Sequence, residues 1–346
     1  MTARWQQVLE DRARAALSPP LHEYVVQGAR EGVTTDEAVR AWQEVRFLPR
    51  ALRDVTTVDL SATLLGARTE VPWAIAPTTL QREVHPDGEL AMARAAREAG
   101  TVVVVSSNSG TRFADLGETG ARWWLQAYLP QDRSLATGLL RRAVEAGAEA
   151  VVLTVDTPVV GTKYAAGDQV VWDVVDPERL RVNFDPVDGA EGSAADKATD
   201  LGPQDVAWLA SVTGLPVVVK GVLRSDDAVR CVEAGAAAVW VSNHGGRQLD
   251  RAIATAQALP RVVEAVAGRA PVYVDGGVRS GTDVLAALAL GADAVFLGRL
   301  PLLALVDGEP GVASMHARLR EELLEAMRLS GCAALSDARG IVVQNP

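Results

Sequence analysis

From Val71 onward the chain alternates short, largely apolar runs with longer stretches rich in Ala, Arg and Glu. The apolar runs fall at 73–76, 102–105, 123–126, 150–154, 217–219, 237–241, 272–274 and 294–297. Their β-branched character and lack of a polar face predict strands buried on both sides. The segments between them are mostly of helix length. Repeated βα units predict a parallel sheet with right-handed crossovers.

An internal echo favours a closed barrel over an open sheet. Three runs share one lead-in, as in Ala146-Gly147-Ala148, Ala234-Gly235-Ala236 and Leu290-Gly291-Ala292. Two others share Pro-Val-x-Val, at Pro216 and Pro271. Alternate strands therefore repeat as a (βα)₂ unit, and alternate strands fill alternate interior layers of a barrel. The expected fold is a (β/α)₈ TIM barrel over residues 71–332, within a single domain spanning 1–346.

Before the barrel, helical spacing appears at 3–17, 21–30 and 35–43. Pro19-Pro20 breaks the first pair, and Thr34-Thr35-Asp36-Glu37 reads as a helix start. Residues 1–70 are expected to form an N-terminal helical cap. The longest break, 157–203, includes an acidic, glycine-bearing stretch at 185–193 without an apolar face. A loop of that length is expected to be a lid.

Composition narrows the class. The chain is 48% hydrophobic, enough for a large core. Its net charge of -10 disfavours a nucleic-acid partner. Cys231 and Cys332 form no C-x-x-C pair, so neither a disulfide framework nor a metal site is expected. No apolar run approaches the roughly 18 residues of a spanning helix, and the first residues lack a signal-peptide core. A cytoplasmic protein without a membrane partner is expected.

The unusual polar residues cluster where the predicted strands end, which in such barrels is where chemistry is placed. Ser106, Gln126, Tyr128, Asp156, Lys220, Ser242, His244, Asp275-Gly276-Gly277 and Gly298-Arg299 all lie there. Lys220 is one of only three lysines, with Lys163 and Lys197, against 31 arginines. Asn243-His244-Gly245-Gly246-Arg247 offers an imidazole, glycines that let backbone approach a ligand, and a guanidinium suited to a carboxylate. A lone histidine is more often structural and a lone arginine usually solvated, but their place after a buried strand argues for a base beside a carboxylate clamp. Asp156 suits the task of orienting that imidazole. Glycines with Arg279 and Arg299 after the last two strands suit a phosphate.

These motifs resemble the FMN-dependent α-hydroxy acid oxidases and dehydrogenases, a family that includes glycolate oxidase, lactate oxidase and mandelate dehydrogenase. The resemblance runs from about Tyr24 to Cys332 and is carried chiefly by Ser242-Asn243-His244-Gly245-Gly246-Arg247-Gln248-Leu249-Asp250. It implies FMN as cofactor and oxidation of an (S)-2-hydroxy acid to the 2-oxo acid, with oxygen or another acceptor taking the electrons. It implies a base role for His244 paired with Asp156, a carboxylate clamp at Arg247, and a substrate pocket lined by Tyr24 and Tyr128. Lys220 is implied to stabilise charge on the reduced ring. Pro77, Thr78, Ser106, Gln126, Thr154, Lys220 and Ser242 are implied to contact the flavin or its ribityl chain. Asp275, Gly276, Gly277, Arg279, Gly298 and Arg299 are implied to bind the ribityl chain and phosphate. A homotetramer is implied as well.

Three positions depart from the family pattern. Lys163 stands where a second carboxylate-binding arginine is usual, Thr79 where alanine or glycine is usual near the flavin, and Asn108 where glycolate oxidase-like members carry tryptophan. The departures leave two alternatives: a specialised flavin oxidase or monooxygenase acting on an arylglycolate or on a substrate without a free carboxylate, and a non-catalytic flavin-binding barrel.

Overall fold

A computed structural model describes residues 4–164, 169–184 and 196–343. Eight parallel strands close into a barrel: β3 (Trp73–Ile75), β4 (Val102–Ser106), β5 (Arg122–Ala127), β6 (Val151–Thr154), β7 (Val217–Val222), β8 (Ala238–Val241), β9 (Val272–Val274) and β10 (Ala294–Leu297). They follow one another round the ring in chain order, and β10 closes on β3. Every predicted apolar run is one of these strands.

The period of two along each strand divides the buried residues into two cores. One set points inward: Ala74, Val102, Val104, Trp124, Val152, Val218, Ala238, Trp240, Tyr273, Ala294 and Phe296. Four large rings set among small alanines fill the barrel, with Trp240 and Phe296 ring centroids 3.8 Å apart and Trp124 5.8 Å from Phe296. The barrel is therefore solid beneath its mouth, and truncating Phe296 to alanine would cost about 3–5 kcal/mol. The other set, including Trp73, Ile75, Val103, Leu125, Val219 and Val274, packs outward against the helices.

The N-terminal region is not wholly helical. It contains α1 (Trp5–Ala16), α2 (Pro19–Val26) and α3 (Val33–Gln43), then a short antiparallel hairpin, β1 (Ala62–Leu64) and β2 (Ala67–Thr69). The second helix starts at Pro19 rather than 21, because proline's fixed φ and missing N–H suit a helix's first turn. The hairpin seals the bottom of the barrel: Leu64 joins the interior cluster, and the Leu65 N–H donates to Tyr273 Oη at 3.1 Å. The extension is tied to the C-terminal helix Gly308–Ser330 by a 2.6 Å bond from Trp5 Nε1 to Glu322 Oε1.

Within 157–203 the described residues form two 3₁₀ turns, Val171–Asp173 and Pro177–Leu180. The acidic stretch 185–193 lies outside the described residues. Among the described residues, no helix is long and apolar enough to cross a membrane.

Candidate active site

At the top of the barrel the strand register lines up a row of polar side chains. Ser106 pairs with Gln126 across β4–β5, and Thr154 pairs with Lys220 across β6–β7. Ser106 Oγ donates to Gln126 Oε1 at 3.1 Å, and Gln126 Nε2 donates to Thr154 Oγ1 at 3.1 Å. The three side chains form one hydrogen-bonded arc along the rim of a cavity of ≈ 860 Å³ that they line.

Lys220 lies inside β7, not at its end. The register slips between Lys220 and Val222 at Gly221, whose φ is +113°. Such a bulge re-aims the neighbouring side chain. The buried ammonium of Lys220 donates to Ser242 Oγ at 2.8 Å and pairs with Asp275 Oδ2 at 3.2 Å. Ser242 Oγ donates to Asp275 Oδ1 at 2.6 Å and accepts the His244 N–H at 3.1 Å. With its donor and both lone pairs in use, Ser242 is fully buried and does not line the cavity. It positions Lys220 and His244.

His244 begins a tight turn in which three successive residues have left-handed φ: His244 +57°, Gly245 +64° and Gly246 +77°. A left-handed conformation costs a non-glycine residue roughly 1–3 kcal/mol and is held only where surrounding structure enforces it. Gly246 is pressed against α3, where a Cβ would come within 2.4 Å of Thr35 Oγ1. The turn aims His244 into the cavity, with Nδ1 2.8 Å from Asp156 Oδ1. Thr157 Oγ1 donates to the same carboxylate oxygen at 3.1 Å. Asp156 lies behind His244 and does not line the cavity itself. Burial pushes its carboxyl up, but His244, Lys220 and the hydrogen bonds outweigh this and bring it down to about 2. Desolvation lowers the His244 imidazole below its usual value, and Lys220 and Arg247 add to that effect against the pull of Asp156.

Opposite stand Tyr24, Tyr128 and Arg247, all lining the same cavity. Arg247 Nη1 donates to the carbonyls of Tyr24 at 2.7 Å and Gln27 at 3.0 Å, and its guanidinium sits 4.7 Å over the Tyr24 ring. Trp172, from the segment after β6, meets Tyr24 edge-on at 5.8 Å. Burial, then the Asp156 charge, raises the Tyr128 phenol above its ordinary value, so it stays protonated.

Lys163 does not reach out as a free cation. Its ammonium donates to the carbonyls of Gly161 at 2.8 Å and Arg247 at 2.9 Å. Burial, Arg247 and Lys197 together bring it down to about 8. The two other departures touch each other: Thr79 Oγ1 donates to the Asn108 carbonyl at 2.9 Å. Lys197, absent from the residues expected at the site, also lines the cavity, so all three lysines of the chain do.

At the far end Pro77, Thr78, Gly276, Gly277, Gly298, Arg279 and Arg299 complete the wall. Gly277, at φ +83°, passes so close to α3 that a Cβ would lie 2.2 Å from the Ala38 carbonyl oxygen. Trp42 Nε1 fastens the same loop by donating to the Gly276 carbonyl at 2.7 Å. Arg299 donates to the carbonyls of Gly245 at 2.8 Å and Gln27 at 3.0 Å, and Arg279 to that of Val278 at 3.0 Å. Neither is paired with a carboxylate among the described residues. Desolvation, with Arg279 and Arg247 alongside, drives Arg299 well below the ordinary arginine value. Two guanidiniums sharing one end of a cavity suit an anion, and a phosphate monoester supplies two negative charges. The cavity's other end offers a buried lysine and an amide–hydroxyl arc. That donor set fits FMN.

Barrel, two guanidiniums at one end of the cavity and an imidazole–carboxylate pair together fit a flavin-dependent oxidoreductase. The FMN-dependent dehydrogenase family matches residues 13–345. The chain is 43% identical over 341 residues to glycolate oxidase 1 of Oryza sativa, covering 94% of this chain and 91% of that protein. It is 40% identical to L-lactate oxidase of a Nostoc species, covering 95% and 94%. A mandelate oxidase variant solved with (S)-mandelic acid superposes with a TM-score of 0.88, at 37% identity and 98% coverage of both chains. The chain belongs to the FMN-dependent α-hydroxy acid oxidase and dehydrogenase family; it is an FMN-dependent oxidoreductase acting on CH–OH groups.

Proposed function

We propose that the chain oxidises an (S)-2-hydroxy acid to the 2-oxo acid, with His244 as base and Arg247 as carboxylate clamp. The observation that carries the reading is the 2.8 Å His244–Asp156 pair facing a cavity shared with Arg247 and Lys220. Asp156 stays ionised and holds the proton on Nδ1, which leaves Nε2 as the acceptor. The lowered His244 keeps that acceptor unprotonated near neutral pH. Arg247, anchored by two backbone carbonyls, presents its remaining N–H groups to a carboxylate. FMN, held by the Ser106–Gln126–Thr154 arc, Lys220 and the Arg279–Arg299 end, would supply the acceptor for the electron pair of the α-carbon. Lys220, buried and lining the cavity, would stabilise negative charge on the reduced cofactor. Tyr24 and Tyr128 line the substrate end, with Tyr128 a protonated donor. Trp172 on Tyr24 supports a lid role for the segment after β6.

Anaerobic mixing of the FMN-loaded protein with glycolate, lactate, mandelate and longer 2-hydroxy acids, followed by flavin absorbance, tests the proposal. Bleaching by at least one supports it; bleaching by none refutes the substrate class. Because Lys163 is tied to two carbonyls, a substrate without a free carboxylate is a second reading. Equal rates for an acid and its amide would favour it. A cytoplasmic homotetramer is the assembly we propose from the resemblance, to be measured by light scattering.

A further inference from the structure

Each cation at the cavity except one has an oxygen partner in the protein. Lys220 has Ser242 and Asp275, Lys163 has two carbonyls, Arg247 two and Arg299 three. Lys197 has none among the described residues. Its ammonium instead lies 3.8 Å from the centroid of the Tyr128 ring.

This placement is not that of a loose surface lysine. The segment carrying it is laced to the chain that follows β5. Pro130 and Lys197 form a bridge, the Ala198 N–H donates to the Leu129 carbonyl at 2.8 Å, and the Gln131 N–H donates to the Asp196 carbonyl at 2.8 Å. Two parts of the chain are thus held in register so that Lys197 faces Tyr128. The half-buried ammonium lines the substrate cavity, where desolvation lowers it. The carboxylate that acts on it is Asp156, whose Oδ1 is already bound to His244. Glu23 also lines the cavity, and among the described residues no ion pair joins it to Lys197. A desolvated ammonium without an acceptor is a binding site for an anion. The α-carboxylate is accounted for by Arg247, so the anion for Lys197 is a different group.

We infer that the substrate is a 2-hydroxy acid with a second anionic group at its far end, and that Lys197 reads that group. The cation–π contact with Tyr128 is then the resting position of the lysine in the absence of substrate. This inference rests on the proposed 2-hydroxy acid oxidation and narrows it to a 2-hydroxydicarboxylate class.

The test compares malate, 2-hydroxyglutarate and 2-hydroxyadipate, each with its ω-amide, on the FMN-loaded enzyme. Each amide matches its acid in shape and lacks only the distal charge. For at least one length the acid should exceed the amide in kcat/KM by about tenfold or more, the worth of one charge-assisted contact. Lys197→Met should collapse that ratio towards one, and Lys197→Arg should keep most of it. A parallel titration with the matching 2-oxo acids and their ω-amides, read as flavin absorbance perturbation, gives the same ratio without turnover. The FMN content of each variant verifies folding. Acid and amide treated alike at every length, or a ratio unmoved in Lys197→Met, overturns the inference while leaving 2-hydroxy acid oxidation intact. Failure of every 2-hydroxy acid, charged at the far end or not, to reduce the flavin removes the parent reading and this one with it.

Discussion

Gly221 stands directly behind Asp156: a Cβ on Gly221 would lie 2.7 Å from the Asp156 Cβ and 2.9 Å from its backbone nitrogen. The residue that breaks the register of β7 and frees Lys220 therefore also makes room for the carboxylate that orients His244. One bulge positions two parts of the site. Gly221→Ala should push Asp156 off the imidazole and strain a backbone at φ +113°. Misplacing the orienting carboxylate is expected to lower kcat about 10²-fold. The strained φ adds about 1–3 kcal/mol of lost stability. Steady-state kinetics with chemical denaturation of the same preparation would show both; a variant with wild-type kcat contradicts the coupling.

Lys163 sets an alkaline limit. Its ammonium is charged below about 8 and neutral above, down from a usual 10.5. As pH rises through that value, the Gly161 and Arg247 carbonyls lose a charged donor and the pocket loses a positive charge. KM should rise above pH 8 while kcat changes less. Lys163→Arg, whose guanidinium stays charged, should abolish that limb up to about pH 10. An unchanged alkaline KM profile in Lys163→Arg would assign the limb to another group.

On the proposed reading, Gly277 and Arg299 shape the cofactor end of the cavity. Gly277→Ala places a methyl group against the Ala38 carbonyl and should yield protein largely free of FMN. Arg299→Leu removes charge-assisted hydrogen bonds of about 1.5–3 kcal/mol each, so FMN should bind about 10- to 200-fold more weakly. Fluorescence titration of apoprotein with FMN measures both. Wild-type affinity in Arg299→Leu would place the phosphate elsewhere.

A buried histidine outside the site makes stability depend on pH. His316 accepts the Trp73 Nε1 proton at 2.9 Å, its Nε2 has no partner among the described residues, and burial pulls it down to about 4. Above pH 6.5 both folded and unfolded states hold it neutral, and stability is unaffected. Below 6.5 the unfolded state takes up a proton that the folded state refuses, so stability falls until about pH 4. The span from 6.5 to about 4 corresponds to about 3 kcal/mol. His316→Gln keeps an acceptor for Trp73 and should flatten that part of the curve. Denaturant midpoints between pH 4 and 7 for the two proteins decide; identical slopes would exclude His316 as the cause.

The barrel was legible in the sequence because its strands are apolar on both faces and therefore appear as uninterrupted runs. The hairpin at Ala62–Thr69 was not, since three-residue strands have too few positions to show a period. Pro19-Pro20 reads as a break, yet as the first turn of α2 it is a start. Most of the residues named at strand ends line the cavity, but position along a strand does not give the direction of a side chain. That is why Ser242 is found behind the wall and Lys220 within β7, re-aimed by Gly221. Lys197 was visible only as one of three lysines. Its place depends on backbone pairing of its neighbours Ala198 and Asp196 with Leu129 and Gln131, residues 66 to 68 positions before Lys197, which local pattern does not encode.

The central claim is that His244, held by Asp156, takes the proton that substrate oxidation releases. The direct measurement is anaerobic stopped-flow reduction of FMN-loaded wild type and His244→Ala by the best substrate of the panel. The account predicts that the variant keeps its FMN and its yellow colour but is reduced about 10²- to 10⁴-fold more slowly, the usual effect of removing a general base. A His244→Ala protein that bleaches at the wild-type rate would contradict it.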